Sequence, residues 1–210
     1  EASLNLQLNQ KVSIDTIIIK GSSKIHPKFI SNYFNIKAGD LYNESRISRI
    51  ENKLSDLPFV QVVRPWEVVF TEDRASLVLY LDKQRASQFD GILGIAPNDQ
   101  TSGKLLLTGD VKLKLLSAFN RGELIDLNWR KLEAQTQDLN FNFNYPFLFS
   151  TPFGFDYELH LIKKDTSYLT LTNRLGVQVL FNGYNHVKAF YENNRSNLLS
   201  TSGLESATVL

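Results

Sequence analysis

The sequence predicts an α+β module followed by the first strands of an all-β, antiparallel, up-and-down transmembrane barrel that is incomplete within these residues. Three observations carry this expectation. In the first half the apolar period switches from two to helical spacing and back again. From Gln88 onward the helical period is absent and strand follows strand. No run approaches the ~20 apolar residues of a membrane helix, so any membrane assignment rests on alternation, the mark of a spanning strand.

The elements follow in order. Leu4, Leu6 and Leu8 alternate with Asn5 and Gln7 as a short strand, and Val12–Lys20 is an isoleucine-rich strand stopped by Gly21-Ser22-Ser23. Pro27 suits a first helical turn, and Phe29, Ile30, Tyr33 and Phe34 follow at helical spacing. Ala38-Gly39-Asp40 breaks that helix. Asn43 is placed to cap a second one, although Arg46 stands where a capping-box Glu belongs. Ile47, Ile50, Leu54 and Leu57 give it a one-sided apolar stripe, ended by Pro58. Strands near Val60–Phe70 and Ala75–Asp82 complete a β-α-α-β-β order.

In the second half, Leu105, Leu107, Val111, Leu113 and Leu115 oppose Lys104, Thr108, Asp110, Lys112 and Lys114. Ile125, Leu127 and Trp129 oppose Asp126, Asn128 and Arg130. Leu139, Phe141, Phe143 and Tyr145 oppose Asn140, Asn142 and Asn144. Three further alternating runs are centred on Tyr157, Leu175 and Ala189, with Phe190 out of pattern. Turn residues punctuate the runs at Pro97-Asn98-Asp99, Asn120-Arg121-Gly122, Thr151-Pro152, Lys164-Asp165 and Asn182-Gly183. Aromatics gather around Tyr145, Phe147, Phe149 and Phe153, as in an interfacial girdle. A soluble all-β module holding a small apolar ligand would also alternate. It is the competing expectation, and the orientation of Leu139, Phe141 and Phe143 separates the two.

Composition narrows the function. With 23 basic against 22 acidic residues, no strong field selects nucleic acid as a partner. Cysteine is absent, which removes thiolate chemistry and cysteine metal sites, and three scattered histidines show no ligand spacing. No cofactor, metal site or catalytic set is expected. Glu158 and His160 share a strand face, and a solvated pair is their plain reading. Lys112 and Lys114 are expected to be balanced by Asp110 and Asp126. The first ten residues lack the basic start and apolar stretch of a signal peptide.

The β-α-α-β-β unit resembles a POTRA (polypeptide-transport-associated) domain. The stretches that carry the resemblance are Ile17-Ile18-Ile19-Lys20-Gly21, Lys37-Ala38-Gly39-Asp40-Leu41-Tyr42-Asn43 and Leu54-Ser55-Asp56-Leu57-Pro58-Phe59-Val60. Gln88-Phe89-Asp90-Gly91-Ile92-Leu93-Gly94 resembles the first barrel strand of the BamA/TamA-type outer-membrane assembly factors, a superfamily that includes two-partner-secretion transporters. Gly103–Leu115, Gly122-Glu123 and Trp129 resemble the second and third strands. The resemblance implies that residues 1–10 end a preceding POTRA domain, that 11–84 form a POTRA domain, and that 85–210 form the N-terminal part of a barrel. About seven strands and the start of an eighth fit, against the family's larger barrel.

It further implies a non-enzymatic assembly or translocation factor of the Gram-negative outer membrane with its N-terminal module in the periplasm. The partners so implied are outer-membrane lipid, unfolded β-barrel or secreted clients, and accessory assembly subunits. The site is backbone rather than side chain, because an open strand edge offers unpaired N–H and C=O groups to a client strand. The candidate barrel seam is Gln88, Phe89, Asp90, Gly91, Ile92, Leu93, Gly94 and Ile95, whose glycines weaken packing. The candidate POTRA edge is Val60, Gln61, Val62 and Val63.

Overall fold

The computed structural model describes residues 11–97, 105–133, 135–164, 168–180 and 186–198. The expectations for the Leu4–Leu8 strand, for Lys104, for the turns at Asn98-Asp99, Asp165 and Asn182-Gly183, and for an eighth strand lie outside them. The chain divides into two compact units that part between Arg85 and Ala86.

In the first unit β1 (Ser13–Lys20), α1 (Pro27–Phe34), α2 (Glu44–Ile47), α3 (Ile50–Ser55), β2 (Val60–Thr71) and β3 (Arg74–Lys83) follow one another. The sheet order is β1-β3-β2, with β1 parallel and β2 antiparallel to the central β3. His26 caps α1 by accepting from the Lys28 amide at 3.2 Å, with Pro27 in the first turn. Asn43 caps α2 by accepting from the Arg46 amide at 3.1 Å. Where one helix is expected between Asn43 and Leu57, the structure has two. The Ser48 hydroxyl donates to the Ser45 carbonyl at 3.3 Å and competes with the helical ladder at the break. The apolar stripe survives it: Ile47, Ile50, Leu54 and Leu57 are buried with Ile30, Phe34, Leu77, Leu79 and Leu81.

Gly21 closes β1. Its φ of +113° lies in the region that favours glycine, and a Cβ there would stand 2.4 Å from the Leu81 carbonyl oxygen. The turn it permits carries Ser22 to Asp82, whose carboxylate accepts from the Ser22 amide at 2.7 Å and from its hydroxyl at 2.8 Å. Those two bonds, the backbone one foremost, hold the Asp82 carboxyl below its ordinary value.

The second unit is one antiparallel sheet. Its strands are β4 (Gln88–Pro97), β5 (Leu105–Leu116), β6 (Leu124–Lys131), β7 (Gln137–Tyr145), β8 (Phe153–Lys164), β9 (Tyr168–Leu180) and β10 (His186–Leu198). Each pairs with its neighbour in sequence, from β4 at one edge to β10 at the other. The two units differ in where their apolar residues go. Among the described residues, every buried hydrophobic side chain except Phe147 belongs to the first unit. The second has apolar residues in every strand and places them on a surface.

Candidate functional site: a two-faced sheet with an open edge

Register fixes the two faces. Phe89, Leu113, Leu127, Phe141, Leu159, Asn173 and Asn193 lie on one row across all seven strands. The next row on the other face runs Asp90, Lys112, Asn128, Asn140, His160, Thr172 and Asn194. Leu139, Phe141 and Phe143 therefore share the apolar face and lie opposite the Asn140, Asn142 and Asn144 side chains.

Polar groups of the second face are tied to one another. Arg130 binds Asp110 at 2.8 Å, and His160 lies 3.3 Å from Asp138. Arg174 bridges Glu158 at 2.8 Å and Glu192 at 2.6 Å, while Lys188 reaches both Asp156 and Glu158. Asp110 thus balances Arg130 rather than Lys112 or Lys114, because Arg130 is its directly opposed partner in the ladder. Lys114 does stand opposite Asp126. A groove of about 390 Å³ on this face is lined by Asp126, Asn128, Asn140, Asn142, Glu158, His160, Thr172 and Arg174, with the edges of Phe141 and Leu159.

The apolar face carries a tilted band. On β4 the apolar-face series begins at Phe89, whose row reaches β10 at Asn193, yet on β10 the series begins at Val187, six residues lower. Its upper limit falls from Ile95, opposite Leu107, to Tyr191, on the row of Leu115, eight residues along β5. Leu169 and Leu171 of β9 extend above it. With a rise of ~3.3 Å per residue and a strand spacing of ~4.8 Å, slides of this size over six steps correspond to roughly 35–43°. That is the tilt of strands in a membrane barrel, about 35–45°. Asn173, which interrupts the band, accepts from the Tyr157 hydroxyl at 3.0 Å.

The turn between β5 and β6, at the lower end, is built on a side-chain acceptor for backbone amides. Glu123 is fully buried, and its carboxylate accepts from the amides of Phe119 and of Arg121, the latter at 3.0 Å. Ser117 and Asn120 adopt positive φ in the same turn. The next turn splits the expected aromatic girdle: Phe147 is buried, whereas Phe149, at φ 51°, is 92% exposed.

The seam candidates all fall on β4. Gln88, Asp90, Ile92 and Gly94 lie on the polar face and Phe89, Gly91, Leu93 and Ile95 on the apolar one. Phe89, Ile92 and Ile95 are 72%, 76% and 70% exposed, since β4 has a neighbour on one side only. Among the described residues no side-chain hydrogen bond or ion pair joins β4 to β5. The POTRA-edge candidates open β2, also an edge strand. Val60 is buried, Gln61 exposed, Val62 intermediate and Val63 exposed. Of two register shifts in β2, the first, between Val62 and Arg64, falls at Val63 itself, and the second, between Arg64 and Glu67, spans Pro65. The two candidate sets occupy different units. Sequence reasoning missed the Glu123 anchor and the Arg174–Lys188 network; the parity of the charged residues along β8, β9 and β10 was the only signal for the latter.

An α+β module followed by a meander of barrel-type strands defines a class, and the comparisons agree with it. Residues 12–84 match the POTRA family, described as a surface antigen variable number repeat. The chain is similar in fold to BamA from Haemophilus ducreyi lacking POTRA domains 1–3, with a TM-score of 0.61 and 11% identity over 90% of this chain and 36% of that one. It is also similar to CdiB from Acinetobacter baumannii, with a TM-score of 0.53 and 14% identity over 90% of this chain and 39% of that one. The chain therefore spans less than two fifths of the length of either. No curated protein matches the sequence. The resemblance to the BamA/TamA-type superfamily, over part of its length, is borne out.

Proposed function

We propose that the chain is the POTRA-and-first-strands portion of an outer-membrane protein assembly or translocation factor, residues 11–84 lying in the periplasm and 85–210 opening a barrel in a Gram-negative outer membrane. The factor is not an enzyme. It acts by backbone pairing of unfolded β-barrel or secreted clients at the edge of β4, with the β2 edge of the POTRA domain as a second pairing site. One observation carries the membrane part: a seven-stranded sheet whose apolar residues make no core and form a band tilted as barrel strands are tilted. The soluble alternative fits poorly, because an apolar ligand needs an apolar cavity and the groove here sets Asp126, Glu158, Arg174 and amide side chains beside Phe141 and Leu159.

The pairing role is supported by the state of β4, a strand with an open edge and no side-chain tie to β5. A photo-crosslinking residue at Ile92 should capture nascent β-rich clients in cells, while the same residue at Thr172, on a strand paired on both sides, should not. Equal capture at both positions, or none at Ile92, would refute the seam assignment.

A further inference from the structure

Charge is segregated between the faces of the sheet beyond what polarity alone requires. Every carboxylate in β4 to β10 lies on the polar face. The apolar face holds three charged residues, and all are cations: Lys131, Lys163 and Arg195. Each follows the outward apolar series of its strand. Lys131 comes after Trp129, Lys163 after Leu161, and Arg195 after Tyr191 and Asn193. All three stand at the same end of the sheet, opposite the end where β4 begins. They occupy alternate strands, so two strand spacings, roughly 10 Å, separate neighbours. Gln137 and Asn197 add neutral hydrogen-bonding groups to the rim.

On the polar face Arg130, Arg174 and Lys188 have carboxylate partners, while among the described residues Lys112 and Lys114 are without one; among the described residues Lys131, Lys163 and Arg195 are also without one, and on their face no described strand residue is a carboxylate. Cations that border a lipid-facing surface attract anionic headgroups. Lysine and arginine stems lie along apolar surface and lift the charge to its rim.

We propose that Lys131, Lys163 and Arg195 form a binding rim for the phosphate headgroups of anionic lipid. This rests on the apolar face being lipid-facing, as in the function proposed above. The rim lies at the end of the strands remote from the POTRA domain in chain direction, and so borders the leaflet away from the periplasm. Phosphate complements the rim in charge, and a headgroup whose acyl chains pack on Trp129, Leu161 and Tyr191 continues the apolar band. Within the described strands no carboxylate lies on this face to repel such a headgroup.

Trp129 is a natural reporter, because it lies next to Lys131 on the outward face and the chain has one other tryptophan, Trp66. In the Trp66→Phe background the protein is reconstituted into phosphatidylcholine vesicles containing chain-brominated phosphatidic acid or chain-brominated phosphatidylcholine. Should that background not fold, the wild type with a Trp129→Phe control isolates the same signal. Both brominated lipids should quench Trp129, with phosphatidic acid favoured about five-fold, which is about 1 kcal/mol in total, the worth of the one cation nearest the headgroup that Trp129 reports on. Raising the salt should reduce the preference. In the triple variant Lys131→Gln, Lys163→Gln, Arg195→Gln the preference should vanish while quenching by brominated phosphatidylcholine stays. Equal quenching by both lipids in the unsubstituted rim, or a preference that survives the triple variant, overturns the rim and leaves the membrane assignment standing. No quenching by either lipid overturns the membrane assignment, and the rim with it.

Discussion

Arginine placed on either face of β7 tests the membrane assignment. Phe141 points to the apolar face, with the Tyr157 ring 6.3 Å away and Leu127 and Leu159 directly opposite. It stands four residues above Tyr145, the lowest apolar-face residue of β7. At ~3.3 Å per residue and a tilt of about 40°, that places it roughly 10 Å inside the band. The apolar band of a membrane barrel is about 25 Å tall, so Phe141 lies near its middle, and Phe141→Arg should cost ~2–4 kcal/mol. Asn142→Arg should cost less than about 1 kcal/mol, because the side chain enters the polar groove between Asp126 and Glu158, its opposed partners. Leu113 separates membrane from buried core. It shares a row with Phe141, yet it is only two residues above Leu115, roughly 5 Å inside the tilted band. Leu113→Arg should therefore cost about half as much. The assay is reversible denaturant unfolding of the protein from lipid vesicles, followed by tryptophan fluorescence. A cost at Asn142 equal to that at Phe141 would refute the assignment of the faces. Equal costs at Leu113 and Phe141 would refute the tilt, and with it the bilayer.

Other expectations concern local devices. Gly21→Ala should destabilise the first unit by about 2 kcal/mol or more, since it combines positive φ with a backbone clash, and urea unfolding read from Trp66 measures it. Asp82 gives that unit a pH dependence. Because its carboxyl is depressed, its contribution is fully present above the ordinary aspartate value and is lost as the pH falls through the lower folded value. Unfolding midpoints should drop in acid, and Asp82→Asn should flatten that part of the profile; an unchanged profile removes Asp82 as its source. Glu123→Ala should leave the Phe119 and Arg121 amides without an acceptor, at ~1–3 kcal/mol, measurable as a lower unfolding midpoint of the sheet in vesicles.

Much of this architecture was legible because each half of the chain obeys a single period. Ile47, Ile50, Leu54 and Leu57 announced a helical face, and all four are buried. The run Leu139 to Tyr145 announced a two-faced strand, and register carries its alternation across the sheet. What stayed hidden depends on cross-strand neighbours. The Asp110–Arg130 pair joins residues of two strands, and only register decides whether Arg130 or a lysine stands opposite Asp110. The break at Ser48 was hidden for another reason: a side chain competes there with the backbone while the apolar stripe runs on uninterrupted. Phe147 and Phe149, two apart in one aromatic cluster, part company because Phe149 adopts a left-handed conformation in the turn.

Lateral ties across the sheet are graded, and the grading bears on which strand can exchange partners. Backbone pairing is continuous from β4 to β10, so differences between neighbouring strands come from side chains. Toward β10, Glu158 faces Arg174 and Arg174 faces Glu192, opposite charges in direct register. Across β4 and β5, Gly91 faces Val111, Leu93 faces Gly109 and Gly94 faces Thr108, so a side chain is missing from each of these pairs. A client that joins by backbone alone would meet least competition at β4. Adding one side chain there should tighten the seam without changing the fold. A Cβ on Gly91 would meet Val111 Cγ2 at 3.4 Å, an ordinary contact, on a face that is otherwise open. Gly91→Val should therefore create a β-branched cross-strand pair with Val111, worth about 0.5 kcal/mol. If β4 exchanges partners, capture of clients by a crosslinker at Ile92 should fall roughly two-fold while the folded fraction stays constant. Undiminished capture by a protein in which β4 is measurably tighter, by slower amide exchange along Phe89–Ile95, would show that clients do not enter at this edge.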